Sequence, residues 1–303
     1  MAQYPAPLSS KSLTKLYIET GLSESQISFL HDFFLSAANL YGAITLHDLW
    51  EVYVNLAGKT VIPIIRKKDL IAASSVFRRE ELPYFVFEIN ELYSEESQND
   101  INREIVHEGL ISYGNNKLDL YYCLQDVLRS NPYYVPSDFL KYKDRADSPA
   151  DCELKSFFGN LKITAEKYID PISQVSCPCK GAKNSKLKDA DFLFQREQYE
   201  LDFATGSKGA KKANDRYIHY LKQQLNKSIP ERFVDILHWS INVGTPKISD
   251  ILSIISEELC EAGVQISKNQ LNVLGKLIQN YNNTSHLMCL RGWTPDDFSE
   301  HMR

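Results

Sequence analysis

The chain has 303 residues, 43% of them hydrophobic and 24% charged, with a net charge of −5. This is the composition of a soluble globular protein of about two domains. It excludes a disulfide framework, and the longest apolar runs, such as LPYFVFEI and DILSIISEEL, fall far short of the roughly 18 residues that span a bilayer.

MAQYPAPLSSKSL has no basic segment followed by an apolar one, so the expectation is a cytoplasmic protein with no membrane partner. After this proline-containing arm, SESQISFLHDFFLSAANLYG predicts an amphipathic helix. Ser23 caps it with Gln26 at N3, Ile27, Leu30, Phe34 and Ala38 form one apolar stripe, and Gly42 ends it. ITLHDLWEVYVNLAGK predicts a second helix, capped by Thr45, with Leu46, Leu49, Trp50 and Tyr53 facing inward until Gly58. RKKDLIAASSVFRREE predicts a third, basic at both ends. PYFVFEINELY and REIVHEGLISYG then turn to strand composition, joined by the polar SEESQND.

Three helices followed by two strands is the order of a winged helix. The third helix then takes the recognition position, and Arg66, Lys67, Lys68, Arg78 and Arg79 become the candidates for phosphate contact. Asp69, Glu80, Glu81, Glu88 and Glu91 lie close enough in sequence to cancel much of that field. A protein-docking or purely structural winged helix is therefore the competing reading.

KLDLYYCLQDVLRS predicts a helix, Pro132 and Pro136 hold the following PYYVP extended, and Ser137 caps another helix. The polar run from Asp144 to Asp151 marks a boundary. CELKSFFGNLKITAEKYID predicts a helix before Pro171. From Lys211 the pattern is helical again: ANDRYIHYLKQQLN, then SIPERFVDILHWSINVG started by Ser228 and Glu231, then TPKISDILSIISEELCEAG, then SKNQLNVLGKLIQNYNN started by Ser267 and Gln270. TPDDFSEHM, capped by Thr294, closes the chain. The expected fold class is mainly α (α+β), with a winged-helix-like domain and helical extension over residues 1–150. A connecting helix, cysteine loop and basic hinge occupy 151–210, and a helical bundle occupies 211–303.

Six cysteines are present. Cys123, Cys152, Cys260 and Cys289 each sit among apolar neighbours and are expected as small buried hydrophobes. Cys177 and Cys179 stand apart, in SCPCKGAKNSKLKD. This stretch resembles the SEC-C motif, a short zinc-binding module best known from the tail of the bacterial preprotein-translocase ATPase, which runs CPCGSGKKYKKCC or ends in Cys-His. Cys177, Pro178, Cys179, Lys183 and Lys186 fit that pattern, and Gly181 lies one place late. PYYVPSDFLKYKD and NNTSHLMCLRGWTPDDF are similar to segments of uncharacterised Firmicutes proteins that often carry such modules. The resemblance implies zinc, but where the pattern has its second ligand pair this chain has Lys188 and Asp189. A structural zinc needs four ligands, so the expectation is a degenerate loop with no cofactor. Zinc completed by His219, His238 or Cys152, or a redox-active dithiol, are the alternatives.

Between Lys180 and Lys227 stand eleven Lys/Arg and six Asp/Glu, a local charge of +5, so the remainder carries −10. Lys208, Lys211 and Lys212 are the anion-binding candidates there, against the reading of a solvated linker. GSKGAKK is not a phosphate-binding P-loop, for no strand and GxxxxGK[ST] surround it. Glu104 and His107 in EIVHE have di-iron spacing, but on a strand they face opposite sides. His238 beside Trp239 reads as a satisfied interior histidine, and the seventeen tyrosines as core-edge residues rather than base-stacking platforms. No GxSxG, HExxH or dinucleotide fingerprint is present. The expected function is a non-enzymatic interaction or regulatory protein whose partner is protein or nucleic acid. An enzyme with an unfamiliar interdomain site is the alternative.

Overall fold

A computed structural model describes residues 4–93, 99–111, 118–128, 130–144, 146–162, 226–243, 247–261 and 266–301, with isolated positions at 218, 222–223 and 264. The chain divides into two compact units, Met1–Ala146 with His286–Arg303, and Asp147–Ser285. The described residues are mostly helical with one small sheet, a mainly α fold.

The first unit is built around α2 (Glu24–Tyr41), which Ser23 and Gln26 start as a capping box and Gly42, at φ 71°, ends. More than one stripe of α2 is buried: Leu30, Phe33, Phe34, Ala37, Ala38 and Tyr41 are fully enclosed because the helix is packed on opposite sides. Phe34 meets Phe77 of α4 (Lys67–Phe77) edge to face at 4.9 Å, while Phe33 meets Phe139 at 5.3 Å. Before α2 comes α1 (Ser10–Thr20), capped by Ser9 and ended by Gly21 in the left-handed conformation. The sequence shows only a proline-containing arm here, because α1 buries none of its residues and so has no strong apolar period to read. The Tyr17 hydroxyl, which donates to Glu80 and accepts from His31 Nε2, ties it down.

Between α2 and α3 (Leu46–Ala57) the chain forms β1 (Ala43–Thr45), a strand the composition does not reveal. Then follow α4, β2 (Tyr84–Phe87), the four-residue α5 (Ile89–Leu92) and β3 (Glu104–His107). The sheet order is β1-β3-β2, all antiparallel, with Ile105 opposite both Ile44 and Val86. PYFVFEINELY is thus strand only to Phe87, after which Glu88 and Glu91 cap α5.

After α6 (Asp119–Val127), the Pro-Tyr-Tyr-Val-Pro segment leads into a single 3-10 stretch, Phe139–Lys143, where a regular helix capped by Ser137 was expected. Phe139 is wholly buried against Phe33 and Tyr41, and this anchoring over so few residues leaves no room for a longer helix. The C-terminal residues return to this unit instead of extending a bundle. The Tyr134 amide donates to the Arg291 carbonyl at 3.0 Å, Asn131 Nδ2 to the Leu290 carbonyl at 3.0 Å, and Trp293 Nε1 to the Pro132 carbonyl at 2.8 Å. Arg291 lies 4.6 Å over the Tyr133 ring. The turn that allows this approach has Arg291 at φ 53° and Gly292 at φ 83°. A helix of the chain end, α11 (Pro295–His301), completes the unit, with Thr294 accepting from the Asp297 amide.

The second unit packs α7 (Pro149–Gly159), α8 (Ile229–Asn242), α9 (Ile248–Glu261) and α10 (Lys268–Thr284). Capping boxes start α7 at Ser148, α8 at Ser228 and α10 at Ser267. Phe158 stacks on Phe233 at 4.9 Å, and Leu237, Ile255, Leu259, Leu274 and Ile278 fill the core. The bundle therefore includes α7, which the division at residue 211 separated from it, and lacks the chain terminus. The predicted helix ANDRYIHYLKQQLN lies almost wholly outside the described residues.

A Cβ at position 292 would sit 2.8 Å from Tyr41 Cε1 and 2.9 Å from Leu40 Cγ. Gly292→Ala is therefore expected to cost about 2 kcal/mol of stability, since a positive φ and a clash against a full core act together. A denaturant midpoint equal to that of the parent protein would contradict this account of the chain closure.

Candidate functional site

The face that the sequence nominates is α4 and its flanks. Arg66 precedes the helix, and its amide and guanidinium both reach Asp69, at 2.8 Å from the backbone and 2.9 Å from Nε. That hydrogen-bonded pair holds the Asp69 carboxyl below the usual carboxylate range and raises the Arg66 guanidinium. Lys68 and Arg79 are exposed and Lys67 is half-buried.

Arg78 is not on this face. It is 8% exposed, and Nη1 donates to the Val86 carbonyl at 2.6 Å and to Glu91 at 2.8 Å while Nη2 donates to Glu91 at 2.9 Å. Burial pulls its pKa down, but the hydrogen bond and charge of Glu91 outweigh that and leave it raised. The expectation that Arg78 meets phosphate is thus corrected: it joins the end of α4 to β2 and α5. A second buried arginine, Arg103, donates to the Ser74 and Ser75 hydroxyls at 3.1 and 2.6 Å, and pairs with Asp100 at 3.0 Å and Glu88 at 3.5 Å. Sequence reasoning passed over Arg103. The one signal was a cation at the start of an apolar strand, where burial demands a partner.

The segment from β2 to β3 carries acid. Between residues 80 and 104 stand Glu80, Glu81, Glu88, Glu91, Glu95, Glu96, Asp100 and Glu104 against the single cation Arg103.

Behind the sheet, Glu104 is 6% exposed and opposite Thr45 and Phe87. Tyr121 Oη donates to its Oε2 at 2.8 Å and Gln125 Nε2 to its Oε1 at 3.0 Å, both from α6. Since Tyr121 commits its proton to Glu104, the 2.6 Å bond between Tyr93 and Tyr121 has Tyr93 as donor. Burial pushes the Glu104 carboxyl up to about 7, against the two hydrogen bonds, which favour the charged form. Glu104 and His107 lie on the strand β3, where three-residue spacing turns them to opposite faces. The partners that matter, Tyr121 and Gln125, lie on a helix 17 and 21 residues away.

In the second unit His238 is half-buried rather than interior, and its Nδ1 lies 3.1 Å from Tyr281 Oη. An open groove lined by Cys152, Phe157, Leu161, Val273 and Leu277 is mostly apolar. Cys123 and Cys152 are exposed and Cys289 half-buried, which corrects their expected burial. On α6 the inward positions are taken by Tyr121 and Leu124, and on α7 by Leu154 and Phe158. Cys177, Cys179, Lys208, Lys211 and Lys212 lie outside the described residues. Among the described residues no helix is long and apolar enough to cross a membrane. The chain matches no family model, no curated protein and no solved structure.

Removing Glu91 leaves the buried Arg78 guanidinium only the more distant Glu88 carboxylate, at 3.6 Å, so Glu91→Ala is expected to cost about 3 kcal/mol. Equilibrium unfolding measures it, and a loss below about 1 kcal/mol would show that water reaches Arg78. Glu104 has a folded pKa of about 7 against an ordinary 4.5, so the fold favours the protonated acid. Its contribution is fully present below pH 4.5 and is lost as pH rises towards 7, on the order of 3 kcal/mol in all. Glu104→Gln should flatten the stability profile across that window, and an unchanged slope would refute the assignment.

Proposed function

We propose that the first unit is a winged-helix-like module that docks protein rather than nucleic acid, and that the chain is a non-enzymatic interaction or regulatory protein of the cytoplasm. From α2 onward, with the four-residue α5 set within the last connection, the order helix, strand, helix, helix, strand, strand and its β1-β3-β2 antiparallel sheet resemble the winged-helix layout. In that layout α4 is the recognition helix and the β2–β3 connection is the wing.

The observation that carries the docking reading is the fate of the arginines. A nucleic-acid reader keeps its cations free to displace counterions from phosphates. Here Arg78 and Arg103 are buried in ion pairs with the wing carboxylates Glu91, Glu88 and Asp100, and Arg66 is paired with Asp69. Such a surface repels a phosphate backbone at the position where a wing would lie along it. The carboxyl with the raised pKa, Glu104, is enclosed by Tyr121 and Gln125 rather than opening on a cleft, which speaks for docking over catalysis.

Fluorescence anisotropy with labelled double- and single-stranded DNA, run from low to physiological salt, tests this. The expected result at physiological salt is no binding tighter than about 100 μM, the weak edge of non-specific association. Tight, steeply salt-dependent binding that Lys68→Glu or Arg79→Glu weakens would overturn it. If binding is weakened instead by charge reversal at Lys208, Lys211 and Lys212, for all sequences alike, nucleic acid belongs to the basic segment and α4 has no part in it.

A further inference from the structure

The connection between α3 and α4, residues 58–66, presents apolar side chains that the fold does not use. Val61 is 100% exposed and Ile64 84%, and Val54 on the last turns of α3 is 50% exposed. The alternate residues of the same connection face inward: Ile65 is 4% exposed and Ile62 packs against the core. Isolated exposed aliphatics are common on protein surfaces. What distinguishes this stretch is that its backbone is held from several sides while those side chains stay in water.

Tyr53 Oη donates to the Pro63 carbonyl at 3.1 Å and accepts from the Ile65 amide at 3.0 Å. Gln26 Nε2, from α2, donates to the Ile64 carbonyl at 2.8 Å. Lys59 Nζ donates to the Val135 carbonyl at 2.6 Å, and the Lys59 and Thr60 amides both return to the Leu56 carbonyl. A connection fixed in this way loses little further conformational freedom when a partner covers it.

The surrounding charge selects the partner. Residues 54–68 contain Lys59, Arg66, Lys67 and Lys68 and no acid, so even with the next residue, Asp69, the stretch carries +3 in a chain of −5. Aliphatic tips offer nothing to a phosphate, and no tryptophan or tyrosine stands among residues 58–66 to seat them at a lipid headgroup layer. Both features fit a polypeptide with aliphatic and acidic side chains on one face.

We propose that the α3–α4 connection, with Val61 and Ile64 at its tip and Lys67 and Lys68 beside them, is the docking surface for an acidic amphipathic helix of a protein partner. The proposal rests on the protein-docking reading of the first unit and specifies where the partner sits and what its chemistry is.

The test uses the full chain and a fluorescein-labelled helical peptide of about 18 residues, with leucines on one face and glutamates flanking them. The controls are its Glu-to-Lys counterpart and vesicles of phosphatidylserine and phosphatidylcholine. Binding of the acidic peptide is expected, with no binding of the basic one. Val61→Ser combined with Ile64→Ser should weaken it at least tenfold, as should Lys67→Glu combined with Lys68→Glu, whereas Val273→Ser on α10, exposed to 49%, should not. Because Val61 and Ile64 are exposed, the paired serine variant should melt with the parent protein, which separates lost docking from lost folding. The proposal is overturned if the acidic peptide fails to bind, if the serine pair leaves its affinity unchanged, or if the parent protein but not the serine variant sediments with the vesicles. Tight DNA binding through α4 would instead overturn the docking reading itself. Absent DNA binding together with a loop-insensitive peptide removes only the present assignment.

Discussion

A guanidinium removed from water must be met by opposite charge and by acceptors for its protons, and Arg78 is met by Glu91 and the Val86 carbonyl. That requirement fixes three things together. The last turn of α4 cannot rotate its arginine outward, β2 is held against the helix end, and α5 must bring its carboxylate back under the sheet. Arg103, just before β3, repeats the device with the Ser74 and Ser75 hydroxyls and the Asp100 carboxylate. The surface character of the unit follows from these pairs. Of the cations on α4 and its flanks, Arg78 is turned into an internal fastener, and the acids that hold it and Arg103 belong to the β2–β3 connection.

A second constraint is the closure of the first unit by the chain end. Pro132 and Pro136 hold their segment extended, so its carbonyls and amides need partners from elsewhere. Leu290, Arg291 and Trp293 supply them, and His286 adds a bond from Nδ1 to the Gly292 carbonyl at 2.8 Å. With Nδ1 donating, Nε2 is the acceptor for the Tyr142 hydroxyl, also at 2.8 Å. The tyrosines of PYYVP are therefore structural: Tyr133 lies under Arg291 and the Tyr134 carbonyl accepts from Tyr41. Their role is packing and hydrogen bonding at the core edge, the alternative to base stacking that the sequence analysis favoured.

The rigid α3–α4 connection and the enclosed Glu104 show two uses of the same scaffold. Around residues 58–66 the polar groups of the backbone are satisfied inward, and the aliphatic tips are left outside. Around Glu104 the polar group itself is inside, partnered by neutral donors without a cation. A carboxyl in that setting keeps its proton up to about pH 7 because of burial, and the docking of α6 against β3 becomes sensitive to pH by the same geometry that makes it specific.

What the sequence determined by itself is local. The caps at Ser23, Thr45, Ser228 and Ser267 and the stops at Gly42 and Gly58 could be read directly, because a cap joins residues within one helical turn. So could the mainly helical class and the break near residue 146, which composition carries. The tertiary structure decided the rest. It set which arginines of RKKDLIAASSVFRR face water, that α1 exists without a buried face, that Glu104 answers to Tyr121 and Gln125, and that residues 286–301 belong with residues 131–134. Asn131 and its partner Leu290 are 159 positions apart. No periodicity or spacing encodes such a bond, because its partners are chosen by burial and by unsatisfied polar groups that come into being only once the chain has packed.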